Sequence, residues 1–194
     1  LVCHGPIDCF AVGVARLGGA TDMFLVGMSE LGMETGKRMG ADHLLWVGRD
    51  DGIDHEAYVR DHTRGAGVDI ALEMAGAPGA VHESLRLLRK GGRFSAFGVL
   101  SGGTIELDYN DSFVFKGIQV HGINGRKIFD TWYRVRNFLS SGRLDIGPVV
   151  TDLLPLEDFE QGFAGMTANP RRSMKVVLFP DGEELSAARA RREG

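Results

Sequence analysis

Cysteine is scarce in this sequence: its 194 residues include two, Cys3 and Cys9. Two thiols are too few for a disulfide framework, and their spacing is not that of a metal site. We therefore expect a protein that resides in a reducing compartment, the cytoplasm. We interpret both cysteines as small buried residues without redox or metal chemistry.

Long hydrophobic runs and blocks of a single charge are also missing. No apolar segment approaches the roughly 18 residues that a membrane span needs. The 22 basic and 26 acidic residues are mixed along the chain and leave a net charge of −4. The sequence therefore predicts binding to neither a membrane nor a nucleic acid.

The sequence also lacks an initiator methionine and begins with an apolar run, residues 1–3. This run has the character of a buried strand, so we expect the sequence to be part of a longer protein. A tight turn at Gly5 and Pro6 follows, and apolar residues then recur at helical spacing from Ile7 to Leu17. A strand that turns sharply into a helix is the usual start of a mononucleotide-binding unit.

Glycine, in contrast, is abundant, with 28 residues, about twice the usual share. The glycines lie between apolar runs and segments of helical periodicity, as the turns of an α/β domain require. Six apolar runs predict buried strands, at residues 1–3, 22–28, 43–47, 68–74, 93–99 and 118–123. Helical segments separate most of these runs. The sequence therefore predicts an α/β fold, a doubly wound parallel sheet of the Rossmann type with about six strands.

The pattern divides the chain into three regions. Residues 1–140 form the predicted dinucleotide-binding Rossmann domain, which ends with a long helix. Residues 141–180 form a short C-terminal αβ extension with two strands, 149–153 and 174–179. Residues 181–194 are polar, and we expect a disordered tail there.

The turn that opens the chain is an altered form of the G-x-G-x-x-G fingerprint of dinucleotide-binding proteins. When the motif is aligned on Gly5, Cys3 replaces its first glycine and Asp8 replaces its third. Asp8 either caps the positive end of the helix or places a carboxylate where a phosphate of the ligand would bind. We favour the cap, with impaired phosphate binding as its consequence.

Three motifs further along the chain point to one family. They are Leu72-Glu73-Met74-Ala75-Gly76, Phe115-Lys116-Gly117, and Gly122-Ile123-Asn124-Gly125-Arg126 running into Phe129-Asp130-Thr131-Trp132-Tyr133. The sequence resembles the nucleotide-binding half of the medium-chain, zinc-type alcohol dehydrogenases, and within them the threonine dehydrogenases. The resemblance extends from residue 1 to about residue 179.

This resemblance implies that NAD or NADP lies across the carboxyl ends of the strands. It places Gly5 and Ile7 at the pyrophosphate, and the backbone of 97–99 and 123–124 at the nicotinamide. The implied cofactor-binding residues are Gly5, Pro6, Ile7, Gly27, Phe97, Gly98, Val99, Ile123 and Asn124.

The family reaction is the oxidation of a secondary alcohol, here the β-hydroxyl of threonine, with hydride transfer to NAD and zinc polarising the oxygen. The resemblance assigns no catalytic residue and no metal ligand to this chain, since these belong to a catalytic domain that would precede it. Residues 141–180 would pack on that absent domain. The resemblance also implies a small-molecule substrate and a homo-oligomer formed along the strand at 118–123.

The sequence departs from the family at the adenosine end of the site. Gly27 stands where an acidic residue would bind the ribose hydroxyls, and Gly32 stands where a basic residue would flank the adenosine. A glycine at position 27 is compatible with NADP, but NADP also needs a nearby arginine, and residues 28–30 supply none. The choice between NAD and NADP therefore stays open.

Two other functions remain possible at this point. The altered positions are compatible with a degenerate Rossmann module that no longer binds a dinucleotide, and the match is compatible with another polyol or alcohol dehydrogenase of the family. We expect the chain alone to be inactive. Two roles of Glu73 are also open: it is the only acidic residue that ends a buried strand, and it either acts in function or orients nearby backbone amides.

Overall fold

The computed structural model describes residues 5–49 and 52–193, so the predicted strand at residues 1–3 lies outside the described residues. Within these described ranges the strands are β1 Phe24–Gly27, β2 His43–Trp46, β3 Val68–Glu73, β4 Leu88–Ala96, β5 Gln119–Gly122, β6 Val150–Pro155 and β7 Lys175–Phe179. The α-helices of the same ranges are α1 Pro6–Leu17, α2 Glu30–Arg38, α3 His55–His62, α4 Pro78–Leu87, α5 Asp130–Ser140, α6 Phe159–Thr167 and α7 Gly182–Glu193. No helix in the described part of the chain is both long and apolar enough to cross a membrane.

Every strand pair is parallel, and the chain alternates between strand and helix through most of its length. β1 pairs with β2, β3 pairs with β4, and β4 pairs with β5. The predicted doubly wound α/β fold is confirmed, with five of its six predicted strands inside the described residues. β1 and β3 face each other across a slot of about 380 Å³. The register of β1 and β2 aligns Gly27 with Trp46, so these two strands end at the same level. The registers of β3, β4 and β5 align Glu73 with Ala96 and Gly122, so these three strands also end at the same level.

Local sequence signals place several helix ends. Pro6 occupies the first turn of α1, where its missing N–H costs nothing, and Gly19 leaves the helix with a φ of +93°. The hydroxyl of Ser29 caps α2 by accepting a hydrogen bond from the amide of Gly32 at 3.3 Å. Gly36 lowers the helix propensity of α2 but is needed for packing, because a Cβ there would lie 2.1 Å from Leu25.

The C-terminal extension shares a core with the sheet domain. β6 and β7 form a separate parallel pair. Leu144, Val149 and Met174 nevertheless belong to the same buried cluster as Val12 and Leu25 of the sheet domain. The extension is therefore joined to the larger sheet through apolar packing rather than through strand pairing.

The polar C-terminus is helical, and the expectation of a disordered tail is wrong. Asp181 caps α7 by accepting hydrogen bonds from the amides of Glu183 and Glu184 at 2.8 and 3.0 Å. Two arginines of α7 then donate to carbonyl oxygens of β6: Arg189 to Leu153 and Arg192 to Thr151, both at 2.9 Å. Low hydrophobicity suggested disorder, but good helix-forming residues, a cap and these contacts stabilise the helix.

α4 ends at Leu87 and β4 begins at Leu88, but regular pairing with β3 begins only at Arg93, after an irregularity that contains Gly91 at a φ of +69°. Strand β4 therefore starts five residues earlier than the predicted boundary. The carbonyl groups at this junction are collected by Lys116, whose ammonium donates to the carbonyl oxygens of Leu85, Arg86 and Leu88. One side chain thus satisfies carbonyls that a helix end leaves without partners.

We expect the substitution Lys116→Met to lower the free energy of unfolding by about 1–3 kcal/mol, since it leaves these carbonyls without a charged donor. Urea denaturation measures the change. Lys90→Met is the matched control: Lys90 is exposed, and its replacement should cost less than about 0.5 kcal/mol. Equal effects of the two substitutions would contradict the assigned role of Lys116.

The difference in unfolding free energy between the wild type and Lys116→Met should depend on pH. Burial lowers the pKa of the Lys116 ammonium below its ordinary value. The unfolded chain therefore binds more protons than the folded chain between the lowered pKa and the ordinary pKa of lysine, about 10.4. Across that window the unfolding free energy of the wild type should rise with pH relative to Lys116→Met. A difference that falls with pH in denaturation series would show that the pKa is raised.

Candidate functional site

The carboxyl ends of β3, β4 and β5 are tied together by backbone hydrogen bonds. The amides of Phe97 and Gly98, which follow β4, donate to the carbonyl oxygen of Glu73 at 3.0 and 3.1 Å. The amide of Ile123, which follows β5, donates to the carbonyl oxygen of Ala96 at 2.9 Å. Phe97–Val99 and Ile123 thus lie side by side at the carboxyl ends of these strands, the residues to which the resemblance assigns the nicotinamide.

Glu73, the buried last residue of β3, fixes the shape of these strand ends. Its side chain is 1% exposed, and its Oε1 accepts hydrogen bonds from the amides of Ala75 and Gly76, both at 2.8 Å. The turn after β3 and the loop after β4 are in van der Waals contact, since a Cβ on Gly98 would lie 2.2 Å from the nitrogen of Gly76. Of the two roles open for Glu73, the geometry favours the orientation of backbone amides.

The surface of these strand ends is apolar and open. Val99 is 89% exposed, and Ile7, Met28 and Ile123 are exposed as well. Met28, Val99 and Ile123 follow the ends of strands, and Ile7 lies in the first turn of α1. Apolar side chains in this position leave a face that a flat ligand can cover, which agrees with a nucleotide site.

Asp8 occupies the N-terminus of α1 as a cap. Its Oδ2 accepts a hydrogen bond from the amide of Gly5 at 2.9 Å, and its side chain is 1% exposed. Its Oδ1 is buried and has no hydrogen-bond partner among the described residues. The cap interpretation is confirmed. The amide of Gly5, which the resemblance assigned to the pyrophosphate, already donates to this carboxylate.

Arg49 is a residue that sequence reasoning missed. Its guanidinium carbon lies 3.4 Å from the centre of the Trp46 ring, and its Nη2 lies 3.8 Å from Oε1 of Glu30. Trp46 is level with Gly27, and the amide of Val47 donates to the carbonyl oxygen of Gly27 at 2.9 Å. The parallel pairing therefore brings an arginine to the carboxyl end of β1, although it is 22 positions away in sequence. Knowledge of this register would have revealed it.

Two histidines that received no role in sequence reasoning take part in polar networks elsewhere. His43 lies between Asp22 at 2.8 Å and the hydroxyl of Tyr58 at 3.0 Å. His55 pairs with Glu83 at 2.5 Å and joins α3 to α4. Across residues 5–49 and 52–193, no three His, Cys, Asp or Glu side chains are grouped so that they could hold a metal ion.

Fold and site together define a Rossmann-like α/β domain. A family model described as zinc-binding dehydrogenase matches residues 6–141. The chain is 36% identical to L-threonine 3-dehydrogenase of Bacillus subtilis over 176 residues, which are 91% of this chain and 49% of that protein. The chain therefore belongs to the zinc-binding dehydrogenase family, and it spans about half the length of the relatives it matches.

Solved structures agree with this assignment. The 2R,3R-butanediol dehydrogenase of Bacillus subtilis superposes with a TM-score of 0.82 at 25% identity, over 93% of this chain and 50% of that one. A zinc-binding dehydrogenase from Sinorhizobium meliloti, solved with bound NADP, superposes with a TM-score of 0.78 at 23% identity. This superposition covers 92% of the present chain and 51% of the Sinorhizobium meliloti protein. The second neighbour supports the fold alone.

Proposed function

We propose that this chain is the cofactor-binding part of an NAD(P)-dependent, zinc-type alcohol dehydrogenase whose substrate is threonine or a similar secondary alcohol. The observation that carries the proposal is the edge formed by Phe97–Val99 and Ile123, which is backed by Glu73 and left open. The bound dinucleotide would accept a hydride from the substrate alcohol. The chain itself would bind and orient the cofactor: Val99 and Ile123 cover its nicotinamide end, and Asn124 lies beside them.

The pyrophosphate end of the site is less favourable. A phosphate at the start of α1 would meet the carboxylate of Asp8, which already uses the amide of Gly5. Two unit charges about 4 Å apart repel by roughly 4 kcal/mol at an effective dielectric of 20. A micromolar affinity corresponds to about −8 kcal/mol, so this repulsion alone reduces dinucleotide binding to the millimolar range. This observation also favours the second candidate function, a Rossmann module that has lost its cofactor.

Substitution of Asp8 distinguishes the two functions. Asp8→Asn keeps an oxygen that can accept from Gly5 but removes the charge, so we expect NAD and NADP to bind at least about tenfold more tightly. Asp8→Gly should give a gain as well, because it also frees the amide of Gly5. Isothermal titration calorimetry measures both affinities.

Asp181→Asn is the control, since it neutralises a helix cap at α7. It should leave the affinity unchanged. If neither Asp8 variant nor the wild type binds a dinucleotide at millimolar concentrations, the degenerate module is the correct interpretation.

A second experiment concerns catalysis. The resemblance places the zinc ligands outside this chain, so we expect the purified 194-residue chain to oxidise neither threonine nor 2,3-butanediol. Joining the chain to a catalytic domain of a threonine dehydrogenase should restore threonine-dependent NAD(P)H formation. Oxidation by the isolated chain above a zinc-free blank would refute this division of labour.

The third experiment concerns assembly, and we propose a homo-oligomer that pairs along β5. All four residues of this strand are exposed, and none is a proline, lysine or acidic residue that would protect an edge. Exposed aromatic side chains of α5 and its N-cap lie nearby in sequence: Phe129, Trp132 and Tyr133. Light scattering at tens of micromolar should report a dimer or larger species.

Val120→Lys places a charge on this edge and should shift the protein towards monomer. Val14→Lys, on the exposed side of α1, is the control and should not. A monomeric wild type would rule out the proposed assembly.

A further inference from the structure

The residues that end β1 and follow it, Gly27 and Met28, have no acidic side chain that would select NAD. In dinucleotide-binding domains an acidic residue at this position binds the ribose hydroxyls, and the same charge repels the 2′-phosphate of NADP. Gly27 has no side chain, and Met28 follows it with an exposed apolar one. The position thus neither attracts the hydroxyls of NAD nor excludes an additional phosphate.

Arg49 supplies positive charge beside this position. Trp46 is aligned with Gly27, and the Trp46 ring holds the guanidinium against its face at 3.4 Å. A guanidinium stacked in this way keeps its N–H groups at the rim, where they can reach an anion. Among the described residues the guanidinium makes no hydrogen bond. Its one ionic neighbour there, Glu30, is 3.8 Å away with a side chain that is 85% exposed.

Ser29, two residues after Gly27, adds a second donor near the same position. Its Oγ accepts from the amide of Gly32, so its hydroxyl hydrogen is not used by that bond. Ser29 lies at the N-cap of α2, where the helix dipole favours a negative group. An arginine that follows β2 and the hydroxyl of the residue that caps α2 therefore lie near the glycine that ends β1.

We propose that Arg49 binds the 2′-phosphate of the adenosine ribose and that the site consequently prefers NADP to NAD. The proposal rests on the proposed function, because it requires a nucleotide at the carboxyl ends of β1 and β2. Glu30 holds the guanidinium when the site is empty and is exposed enough to release it. A purely structural role, in which Arg49 covers Trp46 and balances Glu30, predicts no cofactor preference.

The test compares four ligands by calorimetry or ligand-observed NMR: NADP, NAD, adenosine 2′,5′-bisphosphate and adenosine 5′-monophosphate. The two mononucleotides differ only in the 2′-phosphate, and their common 5′-phosphate cancels from the ratio of their affinities. In each pair the 2′-phosphorylated ligand should bind at least about tenfold more tightly, the ratio expected for one charge-assisted contact. The ratio should fall as salt is added.

Three variants locate the effect. Arg49→Ala should reduce both ratios to about one, because it weakens the binding of the two 2′-phosphorylated ligands far more than that of the other two. Glu30→Gln should raise both ratios, because it removes the competing carboxylate. Arg38→Ala is the matched control: it removes the same charge from the opposite end of α2, where Arg38 is exposed, and it should preserve the ratios.

The outcomes separate this inference from the function on which it rests. Equal binding of NAD and NADP by the wild type, or a preference that survives Arg49→Ala, overturns the role of Arg49 and leaves the dinucleotide site intact. Failure of all four ligands to bind the wild type and the Asp8→Asn variant overturns both.

Discussion

The buried carboxylate of Glu73 determines the shape of the surface on which the proposed function depends. It draws the amides of Ala75 and Gly76 back towards the end of β3. The loop after β4 can then pack against that turn, because Gly98 has no side chain to obstruct it. A buried carboxyl group is tolerated there because two backbone donors compensate for its lost hydration. The open apolar edge at Val99 and Ile123 follows from this arrangement.

The fold could be predicted from the sequence because its signals are local and repeat regularly. Apolar runs predicted five of the described strands of the main sheet, and capping residues such as Ser29 placed helix ends within one or two positions. The prediction for residues 182–193 was wrong because their polar composition was interpreted as disorder, whereas they form α7. The arginines of α7 find carbonyl partners on β6 that lie 36 and 41 positions earlier in the sequence. Local composition cannot reveal partners at that distance.

Part of the candidate site could also be predicted, because some of its signals are local in the sequence. The motifs located the strand ends and the cap at Asp8, since each is contained in a few consecutive residues. Arg49 was missed because its relation to Gly27 depends on the register of β1 and β2. Similarly, the sequence left the role of Glu73 undecided, and only the positions of two amides distinguish between the alternatives. Contacts between elements, rather than within them, were the information that the sequence did not provide.

The central claim is that the carboxyl edge of the sheet holds a dinucleotide, with its nicotinamide end at β4 and β5 and its adenosine end at β1 and β2. The most direct measurement is an amide-resolved NMR titration of the full chain with NADP. We expect shifts at Gly98, Val99 and Ile123 together with shifts at Met28 and Arg49, and none along the amino ends of the strands. Saturating NADP that moves none of these amides, or that moves amides only at the opposite edge, would contradict the account.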